Sequence, residues 1–87
     1  MKYIHLFGMN AEEIRAEIRR VLDRLGFEIF EKDFEIVASR DEEKVRVEMR
    51  YMGKSNLNLP QTEVIFECAE DVHAEIIKEL RTSRMGG

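Results

Sequence analysis

Residues 9–27, MNAEEIRAEIRRVLDRLGF, hold a helix start, a helix body and a helix stop in one run. Asn10 suits the N-cap, because its side-chain oxygen can accept from an orphan N–H of the first turn. Glu13 follows three residues on, as in a capping box, and Met9 and Ile14 occupy the two positions of a hydrophobic staple. Ile14, Ile18, Val21, Leu22 and Leu25 then recur at helical spacing as a single apolar stripe. The opposite face carries Glu13, Glu17, Arg20 and Arg24, with Arg19 and Asp23 spaced to pair. Gly26 can adopt the left-handed conformation that ends a helix, which lets Phe27 fold back on Leu22 in a Schellman motif. A helix with one greasy face needs a cover.

The flanking sequence supplies strands for that cover. Before the helix, Tyr3–Phe7 is a short aromatic and β-branched run stopped by Gly8. After it, Phe27–Glu31 carries Phe27, Ile29 and Phe30, and Lys32-Asp33 reads as a tight turn. Phe34–Ser39 follows with Phe34, Ile36 and Ala38 on one face, and Arg40–Glu43 is a charged turn. The clearest strand comes next: Val45, Val47, Met49 and Tyr51 alternate with Lys44, Arg46, Glu48 and Arg50. One face is buried and one is wet, the pattern of an antiparallel sheet covered on a single side. Gly53–Pro60 is irregular, with Leu57 and Leu59 as anchors or an edge-strand extension. Val64, Phe66 and Cys68 mark the last strand. A second helix spans 69–84, with Ala69, Val72, Ile76 and Leu80 as its stripe. Glu70 and Asp71 open it, and Lys78, Arg81 and Arg84 lie towards its end, which suits the macrodipole. Met85-Gly86-Gly87 reads as a frayed end. The expected fold is α+β, in the order β-α-β-β-β-β-α: an antiparallel sheet of four to five strands, Val45–Tyr51 at its centre, and both helices on one face.

Length and composition set bounds. Eighty-seven residues, 44% hydrophobic and 37% charged, predict one small globular domain over 1–87. Such a chain buries roughly 60–65% of its unfolded surface, so oligomerisation would help it. A net charge of −4 argues against general nucleic-acid binding. The single cysteine excludes an internal disulfide and points to the cytoplasm. No apolar run approaches the ~20 residues of a membrane span, and no signal-peptide pattern opens the chain. Abundant Glu and Arg beside a single glutamine fit a thermophile's surface or an ordinary helix-rich protein equally well.

The whole pattern resembles a known family. Tyr-Ile-His-Leu and a glycine lead into Ile14-Arg-Ala-Glu-Ile-Arg-Arg-Val-Leu22, then Gly26 and a hairpin. Val45-Arg-Val-Glu-Met49 runs into Gly53-Lys54 and Leu57-Asn58-Leu59, and Ile76-Ile-Lys-Glu-Leu80 closes the chain. Over about residues 3–84 this is similar to the kinase-associated domain at the C-terminus of microtubule-affinity-regulating kinases. It is also similar to the C-terminal regulatory domain of AMP-activated kinase catalytic subunits. The resemblance implies a non-catalytic module that binds anionic phospholipid, a catalytic domain or another subunit, here as a free-standing prokaryotic-type relative. The family's Lys-Arg tract after the last strand's phenylalanine is absent, since Glu67, Cys68, Ala69 and Glu70 follow Phe66. Arg15, Arg19 and Arg20 could match its basic helix face.

Candidate chemical groups are few. His5 and His73 lack metal-ligand spacing, and each reads as a packing or surface residue, so no metal or cofactor is expected. Cys68 shares the alternation of Val64 and Phe66 and reads as a buried small hydrophobe. Isolated glycines exclude a phosphate-cradling loop, and acidic pairs such as Glu12-Glu13 read as solvated, so catalytic residues are not expected. Arg15, Arg19, Arg20, Arg46, Arg50 and Lys54 are the candidate anion or partner surface. Glu48 interrupts the strand portion and no aromatic is expected on that face, so a salt-linked face or a polar two-fold dimer interface is the reading there. The function expected is a binding or regulatory module acting through protein contacts, with a protein or a second copy as partner. The alternatives are an anionic-lipid or nucleic-acid binder through the helix arginines, and a small ligand-binding protein or enzyme with a cleft near Gly53–Pro60.

Overall fold

The computed structural model describes residues 1–85, and the side chains of residues 1–82. Its elements run β1 (Lys2–Phe7), α1 (Ala11–Arg24), β2 (Glu28–Lys32), β3 (Glu35–Arg40), β4 (Glu43–Lys54), β5 (Pro60–Glu67) and α2 (Glu70–Met85). The five strands form one antiparallel sheet in the order β1-β5-β4-β3-β2, so the strand with the cleanest alternation is its centre. The α+β order and the two-layer arrangement agree with the sequence.

Local chemistry fixes α1. The Asn10 side-chain oxygen accepts from the Glu13 N–H at 2.9 Å. Glu13 answers through its side chain, taking the Asn10 amide at 2.7 Å. At the other end Gly26 has φ +88°. Gly26 N–H donates to Asp23 O at 3.0 Å and Phe27 N–H to Leu22 O at 2.9 Å, the two bonds of a Schellman motif. The predicted Arg19–Asp23 pair does not form; Arg19 reaches Glu31 on β2 at 3.6 Å instead. Arg24 meets Glu79 at 2.8 Å, tying α1 to α2.

Both helices cover one face of the sheet. Ile14, Ile18, Val21 and Leu22 of α1 and Val72, Ile76 and Leu80 of α2 share a core with Ile36, Val45, Val47, Val64 and Phe66. Thr62 is the buried polar side chain among them; its hydroxyl donates to Met9 O at 2.7 Å, locking the entry to α1 onto β5.

Four local expectations are corrected. The β2–β3 turn is Asp33-Phe34 rather than Lys32-Asp33, and Asp33 supplies its left-handed residue with φ +53°. Phe34 therefore leaves the inner face and is exposed, although its carbonyl accepts from Met49 N–H at 2.9 Å. Ala69 precedes α2 and is exposed instead of opening its stripe. Met85 belongs to α2; residues 86–87 and the Arg84 side chain lie outside the described residues.

Candidate functional site

The helices leave the other face of the sheet open. Strand alternation and register assign its residues. One row runs Lys2, Glu67, Arg46, Val37, Phe30 across β1 to β2; the next runs Ile4, Ile65, Glu48, Glu35, Lys32. Four large apolar side chains stand on it in water: Ile4 is 65% exposed, Leu6 61%, Phe30 64% and Val37 41%. An aromatic, Phe30, thus shares the face after all, opposite Val37. The sequence hides the Ile4 and Leu6 part of this patch because Tyr3–Phe7 carries large hydrophobic or aromatic side chains of both parities, so no clean alternation marks which side chains are wet.

Lys2, Arg46 and Arg50 on this face each have an acidic partner. Arg46 contacts Glu35 at 3.1 Å and Glu48 at 3.6 Å. Lys2 lies 3.9 Å from Glu67, and Arg50 4.0 Å from Glu63. The acids around Arg46 strengthen its hold on its proton, chiefly through the Glu35 hydrogen bond. At such exposure solvent screens each pair, so together they neutralise the surface more than they stabilise the fold.

The six basic candidates do not form one surface. Arg46 and Arg50 lie on the open face, Arg15, Arg19 and Arg20 lie on α1 across the sheet, and Lys54 sits at the end of β4. Arg20 pairs with Glu17 at 3.1 Å, and Arg15 donates to the Asp33 carbonyl at 3.0 Å. The segment named as a cleft is a hairpin tip. Ser55 and Leu59 close it through a 2.8 Å backbone bond, the Ser55 hydroxyl lies 3.3 Å from Leu57 N and 3.4 Å from Leu59 N, and both leucines point into water. Arg15, Arg19, Arg46 and Arg50 each have a cross-element partner, which spacing along one element cannot reveal.

Two histidines 68 residues apart meet. His5 Nε2 and His73 Nε2 are 2.8 Å apart, so one ring donates its proton to the other. Tyr3 stacks on His73 at 3.8 Å, and Phe66 meets both imidazoles edge-on. Burial pushes both imidazoles below the usual histidine range, with Arg81 adding to the effect on His5 and His5 to that on His73. Among the described residues no three metal-ligating side chains converge. The cluster reads as a clamp between β1 and α2. Cys68 is a core side chain whose thiol is pushed up chiefly by burial, an environment that disfavours the thiolate. Among the described residues no helix is long and apolar enough to cross a membrane.

Comparison with known proteins places the chain in a family. The profile of a family described as "Uncharacterised protein" matches residues 18–87. A protein of Archaeoglobus fulgidus, described as "Uncharacterized protein", is 53% identical over 83 residues, covering 95% of this chain and 96% of its own length. The chain belongs to that family.

Proposed function

We propose that this family member is a cytoplasmic, non-catalytic interaction module of the kinase-associated type, acting through protein contacts on its open sheet face. The observation that carries the reading is the pairing of exposed Phe30 with exposed Val37 beside a stripe of charges that already have partners. Exposed apolar patches on a small protein mark contact sites. The strand-helix order matches what the kinase-associated resemblance implies, and the helices' one-sided packing leaves the face free. A lipid or nucleic-acid surface draws less support, because its basic residues are split between two sides and mostly engaged by acids.

The test is capture from an extract of the encoding organism, using the intact chain and a Val37→Lys variant as baits. A defined protein retained by the parent and lost by V37K supports the reading. Retention of the same proteins by both baits, or of none by either, refutes it. Vesicles containing phosphatidylserine and a single-stranded oligonucleotide, offered at low and high salt, serve as controls; salt-sensitive binding to either would favour the anionic-surface reading.

A further inference from the structure

The free edge of β1 is built for strand addition. Met1 and Cys68 exchange both backbone bonds: the Met1 amine donates to Cys68 O at 3.3 Å, and Cys68 N–H donates to Met1 O at 3.1 Å. Antiparallel alternation then turns the backbone groups of Tyr3, His5 and Phe7 towards β5 as well. It leaves the N–H and C=O of Lys2, Ile4 and Leu6 aimed out of the sheet. The other edge, β2, is guarded by Glu28, Glu31 and Lys32, the usual device against strand addition. β1 carries one charge, Lys2, at its end.

The open-face flank of the β1 edge is apolar. Ile4 and Leu6 stand exposed on the open face, with Ile65 beside Ile4 on β5. On the helix side a shallow groove runs along α2, lined by Ala74 and Ile77 with His73, Lys78, Arg81 and Thr82. An added strand would be held by backbone bonds and covered above and below.

We propose that this strand is β1 of a second copy, paired antiparallel across a two-fold axis at Ile4, so that the two sheets become one. This register is selected by two complementarities. Ile4 meets Ile4 and Lys2 meets Leu6 of the second copy, which places every free group of Lys2, Ile4 and Leu6 in a bond, about six in all. Ile65, Ile4 and their two counterparts form a continuous apolar row across the seam, flanked by Glu48 at each end. On the helix side Tyr3 comes opposite His5 of the second copy. The seam is ~20 Å long and two layers deep, the small end of interface sizes, so the dimer is concentration-dependent rather than obligate.

This inference uses a different surface from the proposed function and can fail alone. The experiment is sedimentation equilibrium of the full chain over a wide concentration range, with amide hydrogen exchange at both ends of that range. Dimer at high concentration, with Ile4 and Leu6 amides protected there and fast-exchanging when dilute, is the expected result. Ile4→Pro is the diagnostic variant, because it removes an N–H that no bond within the monomer uses. It should stay folded by circular dichroism and become monomeric. Leu6→Lys should do the same if Ile4→Pro does not fold. Val37→Lys, remote from the edge, should still dimerise. A monomer at every concentration, a dimer that survives in a folded edge variant, or one lost in Val37→Lys would each overturn the proposal.

Discussion

Arg40 should carry more of the stability than any other charged side chain, and its replacement tests how the layers are joined. It leaves the end of β3 with its side chain 25% exposed. Its Nη1 donates to Leu25 O at 2.7 Å, its Nε to Glu43 at 2.8 Å, and its Nη2 to Glu75 of α2 at 2.8 Å. The guanidinium carbon lies 4.4 Å from the centre of the Phe27 ring. Leu25 is the C-cap of α1, so its carbonyl is one of the acceptors a helix leaves orphaned. One side chain thus links β3, both helices and the residue that follows the Schellman turn.

Arg40→Met keeps the apolar stem over Phe27 and removes the rest. The charge-assisted bond to a carbonyl is worth about 1.5–3 kcal/mol. Two partly exposed ion pairs add ~0.2–1 kcal/mol each, and the cation–π contact about 0.5–1. Arginine ordering costs up to ~2 kcal/mol, which methionine also largely bears. Simple addition would give about 2.4–6 kcal/mol, but contributions sharing one guanidinium are not additive, so the expected loss is at the low end, about 2–3 kcal/mol, or roughly 10–20 °C in Tm for a domain of this size. Arg40→Lys keeps charge without the planar fork and should lose about half as much. Urea unfolding with an unchanged m-value measures both. High salt separates the contributions: it weakens the Glu43 and Glu75 pairs and leaves most of the Leu25 bond. An Arg40→Met loss below ~0.5 kcal/mol would show that the fork merely decorates the surface.

Other positions give sharp expectations. Thr62→Val preserves shape but strands the Met9 carbonyl, so it should cost about 1–2 kcal/mol in urea unfolding; a neutral outcome would mean that water replaces the hydroxyl. Both histidines titrate below their ordinary range in the folded chain, so the unfolded chain takes up protons first as pH falls. Their contribution to stability is therefore complete above about pH 6.5 and shrinks as pH falls from there through the folded values. Melting at stepped pH should show that decline, reduced in His73→Phe, and NMR titration should place both midpoints below ~6.5. Asp33 sits at φ +53°, so Asp33→Ala should cost ~1 kcal/mol while Asp33→Gly stays within about half of that, as read by Tm.

The parts legible in the sequence are those whose causes are local. Asn10, Glu13, Gly26 and Phe27 specify α1 because each acts within five residues of its partner. Alternation from Val45 to Met49 identified the central strand because its two faces meet different media, although Tyr51, expected on the buried face, is exposed. Alternation cannot say where a strand ends, however. Phe34 continues the parity of Ile36 and Ala38, yet Asp33 takes the left-handed residue and the turn starts one position later. The His5–His73 clamp and the bond from Arg40 to Glu75 join residues 68 and 35 apart, and no spacing rule reaches that far. Ile4 and Leu6 were hidden for the opposite reason: β1 packs apolar groups on both faces, so its pattern could not show that one face stays wet.

That two-sidedness ties the two proposed contacts together. On the open face Glu63, Glu67, Arg46, Glu48 and Glu35 form a charged strip between Ile4, Leu6 and Ile65 on one side and Val37 and Phe30 on the other. Covering the strip would strip water from ion pairs whose mutual attraction repays little of that cost. The two apolar islands are therefore best covered separately, each by a contact that leaves the strip hydrated. Pairing at the β1 edge covers the first island and turns the second outward on both copies. A dimer so made presents two Phe30–Val37 islands at opposite ends of one continuous sheet, and a bivalent partner would gain avidity from them that a lone copy cannot offer. Partner capture by the parent chain should then weaken in Ile4→Pro, although that residue lies across the sheet from Phe30. Unchanged capture at bait concentrations where the parent is dimeric would separate the two surfaces.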